Sequence, residues 1–145
     1  MDKNQKFNQV ISNIFRVNSK IRYVSIIDLD GRIIASEMKS DLQSLLKKTN
    51  EEKFCEHVAI RRRMRHEFDK KLGKVNFIHV ERENITQLVL YSKSYSFFIT
   101  IEPEITSNSK SKINPFIILI SSIFIVRRNP NFHFDIVNFL TIIQI

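Results

Sequence analysis

Four arginines occupy five consecutive positions, Arg61, Arg62, Arg63 and Arg65. A guanidinium is a planar fork of donors that grips carboxylate or phosphate two bonds at a time, so this cluster offers an anion site or a contact to a partner's carboxylate. The spacing around it predicts a helix. At about 100° per residue, Phe54, Val58, Met64, Phe68 and Leu72 share a face roughly 120° wide. Arg61 and Arg65 fall within that face, while Arg62 and Arg63 point to solvent. Three readings stay open. In one, the stems of Arg61 and Arg65 lie along the core and their heads reach its edge or a carboxylate such as Asp28 or Glu81. In another, the cluster binds an anion or a partner. In the third, a kinked or shorter helix exposes the cluster. Nucleic-acid binding by the same arginines calls for aromatics interleaved on an exposed surface, whereas Phe54 and Phe68 fall on the stripe expected to be buried.

The other reactive side chains do not combine. Cys55 and His57 are two apart on the expected helix and project about 160° from each other, so they cannot chelate together. His66 is nine positions from His57, His79 falls on a strand, and His133 is remote. No metal site is expected. Cys55 lies beside Glu52 and Glu56, which oppose a thiolate. Asp28 and Asp30 flank a turn, where aspartate ordinarily bonds its own backbone. With no nucleophile in a recognisable setting, no catalytic residue and no cofactor are expected.

The elements that would carry these residues follow from periodicity. Phe7, Val10, Ile11, Ile14 and Phe15 make one apolar stripe over residues 5–18, an amphipathic helix. Residues 21–28 are β-branched and aromatic on both parities, a strand covered on both faces. Asp28-Leu29-Asp30-Gly31 is a hairpin turn with Gly31 at the positive-φ position, and residues 32–36 are the return strand. Ser40 or Asp41 caps a helix through Leu42, Leu45 and Leu46. Asn50 caps a second helix running to Leu72, which Gly73 terminates. Residues 75–81, 85–92 and 95–102, separated by short polar turns, read as an antiparallel meander. On the last strand Tyr95, Phe97, Ile99 and Ile101 should face helices. The alternate face, with Phe98 between Ser96 and Thr100, is half polar and offers a dimer contact if no helix covers it. The sum is an α/β fold: a single five-stranded antiparallel sheet, order 2-1-5-4-3, flanked by helices.

Composition sets the frame. The chain has 145 residues, one domain's length, with 43% apolar and 26% charged side chains, as in ordinary globular proteins. Two glycines leave no phosphate-cradling Gly-rich loop, and one cysteine leaves no disulfide framework. Residues 1–106 carry 19 basic and 14 acidic side chains, so the excess charge of +8 is spread along the chain. No apolar segment follows the polar N-terminus, which with the lone cysteine points to a cytoplasmic setting. After the polar linker 107–112, the chain becomes rich in isoleucine and phenylalanine. Its apolar run, 115–126, is shorter than the roughly twenty residues of a membrane span. Three readings of 107–145 stand together: a closing helix, a membrane-surface segment at 113–128 with Arg127 and Arg128 at the headgroups, or translation of AT-rich sequence outside the ancestral frame.

The amphipathic first helix, the stretch Tyr23-Val24-Ser25-Ile26-Ile27-Asp28-Leu29-Asp30-Gly31-Arg32-Ile33-Ile34-Ala35-Ser36, the middle helix and the meander together resemble the roadblock (dynein light-chain) family, whose fold is profilin-like. Arg65-His66-Glu67-Phe68-Asp69-Lys70-Lys71-Leu72-Gly73-Lys74-Val75 resembles the branch found among uncharacterised archaeal proteins. The resemblance covers residues 5–106. It implies a non-catalytic dimerisation or adaptor module, a homodimer or a heterodimer with a related domain, with a small GTPase as a partner class. Two alternatives come from other functional classes. One is a PAS- or Cache-like small-ligand sensor, since those domains open on a similar hairpin. The other is a weak nucleic-acid binder working through Arg61–Arg65.

Overall fold

The computed structural model describes residues 2–103; the readings placed on 107–145, and His133 among them, lie outside the described residues. Helix α1 (Lys3–Val17) buries Phe7, Val10, Ile11 and Ile14 completely, the stripe its spacing predicts. Its first turn is closed by the Asp2 amide donating to Gln5 Oε1 at 3.1 Å, a reciprocal cap of the kind that satisfies orphan helix donors. Strands β1 (Ile21–Ile27) and β2 (Ile33–Met38) pair antiparallel across the predicted turn. Asp28 Oδ1 accepts from the amides of Asp30 and Arg32, each at 2.9 Å, so Asp28 builds the turn. Gly31 there has φ +90°.

Helix α2 (Lys48–His66) follows, then the single turn α3 (Asp69–Leu72) ended by Gly73 at φ +84°. Strands β3 (Phe77–Glu81), β4 (Thr86–Tyr91) and β5 (Ser96–Ile101) complete one sheet of order β2-β1-β5-β4-β3, all neighbours antiparallel. This is the expected five-stranded topology. The first strand is central and buried on both faces, as its double-parity pattern requires.

Register assigns the faces. Tyr23 lies opposite Thr100, Ser25 opposite Phe98, and Phe98 opposite Val89. These side chains meet α2 in a core of Tyr23, Ile27, Cys55, Val58, Val89 and Phe98. On the α1 side, Phe7 meets Tyr95 edge to face at 5.2 Å. The half-polar face of β5 is therefore not open for a dimer contact: α2 covers it, and Phe98 is 4% exposed. Ser25, Ser96 and Thr100 are buried on that face instead.

Two expectations about the middle of the chain need correction. No helix forms over 40–46. Ser44 Oγ both donates to the Leu46 carbonyl and accepts from the Leu46 amide, and such local side-chain bonding competes with helix formation. The helix also does not run from Asn50 to Leu72. It begins after Lys47 and breaks at Glu67–Phe68. Its phase differs too, because the buried residues are Cys55, Val58 and Ala59. Their small size lets the helix backbone come close to the first hairpin: a Cβ on Gly31 would stand 2.6 Å from Glu56 Cα. Bulky Met64, Phe68 and Leu72 have no place in such a close contact and are 59%, 58% and 81% exposed.

Candidate functional site

The rotated phase of α2 exchanges the predicted directions of Arg61 and Arg62. Arg62, expected in solvent, is the inward one. Its Nη1 donates to the Tyr95 carbonyl at 2.8 Å and to Ser96 Oγ at 3.1 Å, and its Nη2 donates to the Ser92 carbonyl. The guanidinium also lies 4.7 Å from the centre of the Tyr91 ring, a cation–π distance. Burial lowers its pKa from the ordinary arginine value. Arg63, also expected in solvent, does remain exposed, but its Nη1 donates to the Leu29 carbonyl at 2.9 Å.

Arg61, expected over the core, is exposed and lies 5.6 Å from the Phe54 ring centre. Arg65 is half-buried and reaches the Tyr91 hydroxyl at 3.4 Å. Arg62 and Arg65 therefore meet at Tyr91, whereas Arg61 and Arg63 diverge. No described carboxylate pairs with any of the four, and Asp28 and Glu81 have other contacts. The cluster clamps α2 to the two turns beneath its C-terminal half.

Cys55 is wholly buried, and desolvation pushes its pKa up to about 11. It is thus a neutral thiol at physiological pH and a poor nucleophile. Among the described residues, no three His, Cys, Asp or Glu side chains gather as metal ligands. His57 is exposed, His66 meets Asp69 at 2.7 Å, and His79 meets Glu81 at 3.8 Å on β3. The Tyr23 hydroxyl is buried without a hydrogen bond, near Glu51 and Ser36, and its pKa is raised by burial.

Two surface features remain once the arginines are placed. The first is apolar. Ile60 and Met64 stand four apart on the outer side of α2, 43% and 59% exposed, and Phe68 and Leu72 continue the same spacing past the helix break. Strand β3 is a sheet edge with half-buried Phe77, Ile78 and His79, and with Val80 38% exposed. The i, i+4 spacing of 60, 64, 68 and 72 was legible in the sequence as a second stripe. Met64, Phe68 and Leu72 of this stripe are the residues that phase with Phe54 and were expected in the core.

The second feature is an open pocket of about 620 Å³ where α2 begins. Tyr23, Phe54 and Phe98 form an aromatic floor, with Phe54 and Phe98 5.0 Å apart between ring centres and Tyr23 6.3 Å from Phe98. Leu45 and Leu46 form one wall and the β3–β4 turn another. Arg22, at the register shift between Ile21 and Tyr23 where β1 pairs with β5, also lines it. Nothing in the sequence marked this pocket, since its floor residues read as ordinary sheet and helix core.

A family model described as a family of unknown function (DUF6659) matches residues 3–119. No curated protein matches the sequence. Among solved structures, one described as MglB with tetrameric arrangement superposes with TM-score 0.62 at 13% identity, over 82% of each chain. Myxococcus xanthus MglB gives 0.58 at 12% identity, over 84% of this chain and 86% of that one. The Roadblock/LC7 domain from Streptomyces avermitilis gives 0.54 at 9% identity, over 83% and 97%. At such identities the likeness is one of fold, and the fold is that of roadblock/LC7 domains.

Proposed function

The chain belongs to the family of unknown function DUF6659, and from that premise we propose that it is a non-catalytic dimerisation or adaptor module of the roadblock type. The observation that carries this reading is the exposed apolar ridge of Ile60 and Met64 on α2. An exposed apolar helix ridge is a surface that a second copy or a related domain covers by helix pairing. The fold neighbour described as tetrameric supports self-association as the mode of action. A small GTPase is the partner class that the roadblock resemblance adds. The archaeal branch and a cytoplasmic setting belong to the same reading.

A non-catalytic role is supported by the wholly buried thiol and by arginines engaged with backbone carbonyls. The same engagement weighs against nucleic-acid binding, which needs the four arginines on one surface. The test is the solution mass of the full chain by light scattering after size exclusion. A discrete dimer that Met64→Glu converts to a folded monomer supports the proposal. A wild-type monomer across micromolar concentrations refutes it.

A further inference from the structure

The pocket at the start of α2 is separate from the dimerisation ridge, and its chemistry is specific. Its floor is built on rigid elements: Tyr23 and Phe98 project from the two central strands and Phe54 from α2. A flat aromatic body fits such a floor by stacking and edge contact. The volume of about 620 Å³ lies inside the range of small-molecule sites. Thr100, Gln87, Ser44 and Asn84 place neutral polar groups in the lining, and the carboxylates of Glu51 and Glu83 stand there with the guanidinium groups of Arg22 and Arg82.

Arg22 supplies the one partly sheltered cation, its side chain 16% exposed. It occupies the irregular position where β1 shifts register against β5, and such irregularities re-aim side chains. Its present contacts are long: 3.4 Å to Glu102 Oε1 and 3.3 Å to the Gln43 carbonyl. Most of its donor fork is unused. The other guanidinium in the lining, Arg82, sits on the exposed turn and donates to Gln87.

We propose that this pocket binds a small aromatic carboxylate, with its ring on Tyr23, Phe54 and Phe98 and its carboxylate on Arg22. Binding replaces two long contacts of Arg22 by a bidentate pair. The ligand's entry passes Leu45 and Leu46, which stand exposed on the wall.

The probe is 2-naphthoate, with neutral 2-naphthamide as its isostere, titrated into the full chain and followed at individual backbone amides by NMR. The expected result is saturable shifts at Tyr23, Phe98, Thr100 and Leu45, with naphthoate binding at least tenfold tighter than the amide. Arg22→Gln should erase that preference while leaving amide binding unchanged. Glu102→Gln, at an exposed side chain that competes for Arg22, should tighten naphthoate severalfold. Leu46→Trp, at the mouth, should block both probes in a chain that keeps its amide spectrum. Shifts absent from the pocket, equal affinity for the two probes, or a preference that survives Arg22→Gln would each overturn the assignment. None of these readouts depends on whether the chain dimerises.

Discussion

Arg62 is held by carbonyl oxygens and an aromatic face instead of by a counter-charge, so its contribution lies in geometry. Replacing it with methionine keeps the stem but strands the Ser92 carbonyl, while the Tyr95 carbonyl keeps the Ser92 amide and hydroxyl as donors, a loss of about 1–3 kcal/mol. Lysine should recover less than half of this, since a point charge cannot reach both carbonyls and stack on Tyr91; urea denaturation of the three chains measures the ranking. Gly31 is constrained twice, by positive φ and by the α2 backbone, so Gly31→Ala should cost about 2–4 kcal/mol in the same assay. Cys55 makes stability depend on pH at the alkaline end. Its folded pKa is raised from 9.0 to about 11, so the folded state holds the proton longer than the unfolded chain does. The corresponding stabilisation is complete below pH 9 and is lost as pH rises toward 11, about 2–3 kcal/mol in all. Cys55→Ala should flatten this limb between about pH 9 and 10 in denaturation curves, above which buried Tyr23, its pKa also raised, adds its own loss.

Helix α2 shows what periodicity conveys and where it misleads. Strand and hairpin patterns were legible because β-branched runs and Asp-Gly turns have few alternatives: β1, β2 and the meander fall where the residues put them, as does α1 with its single stripe. The sequence of α2 carries two apolar stripes, Phe54-Cys55-Val58-Ala59 and Ile60-Met64, and the expected core face joined Phe54 and Val58 of the first to Met64 of the second. The decisive term was the approach distance allowed by Cys55, Ala59 and Gly31, which depends on a contact between elements distant in sequence. The inward turn of Arg62 and the pocket beside Phe54 both follow from that phase, so neither was visible before it. The ridge left outside yields a prediction at this scale. Ile60→Glu and Met64→Glu should each weaken self-association at least tenfold while changing the stability of the fold by less than about 0.5 kcal/mol, since exposed positions contribute little to folding.

For the whole molecule, charge and association are opposed. Two copies of a chain with formal charge +8 repel each other, and the ridge is bordered by exposed Lys53, His57 and Arg61. Self-association driven by apolar burial should therefore strengthen as salt rises from about 20 mM to about 300 mM, where screening shortens the reach of that repulsion. Binding to a polyanion would weaken over the same range. Sedimentation at two salt concentrations separates these behaviours.

The strand order also bears on how the chain reaches this state. Strand β5 is the last of the sheet to be synthesised, yet it occupies the middle, joining the β1–β2 hairpin to the β3–β4 hairpin. Until Ser96–Ile101 leaves the ribosome, β1 lacks its second partner and the two halves of the sheet have no common edge. The pairing of Ile27 with Ser96 closes about two-thirds of the described chain into one loop, an entropic cost that must be met before the contact yields anything. The nascent chain thus carries two hairpins with open edges until β5 arrives, and a chaperone that shields strand edges would act on it in that interval.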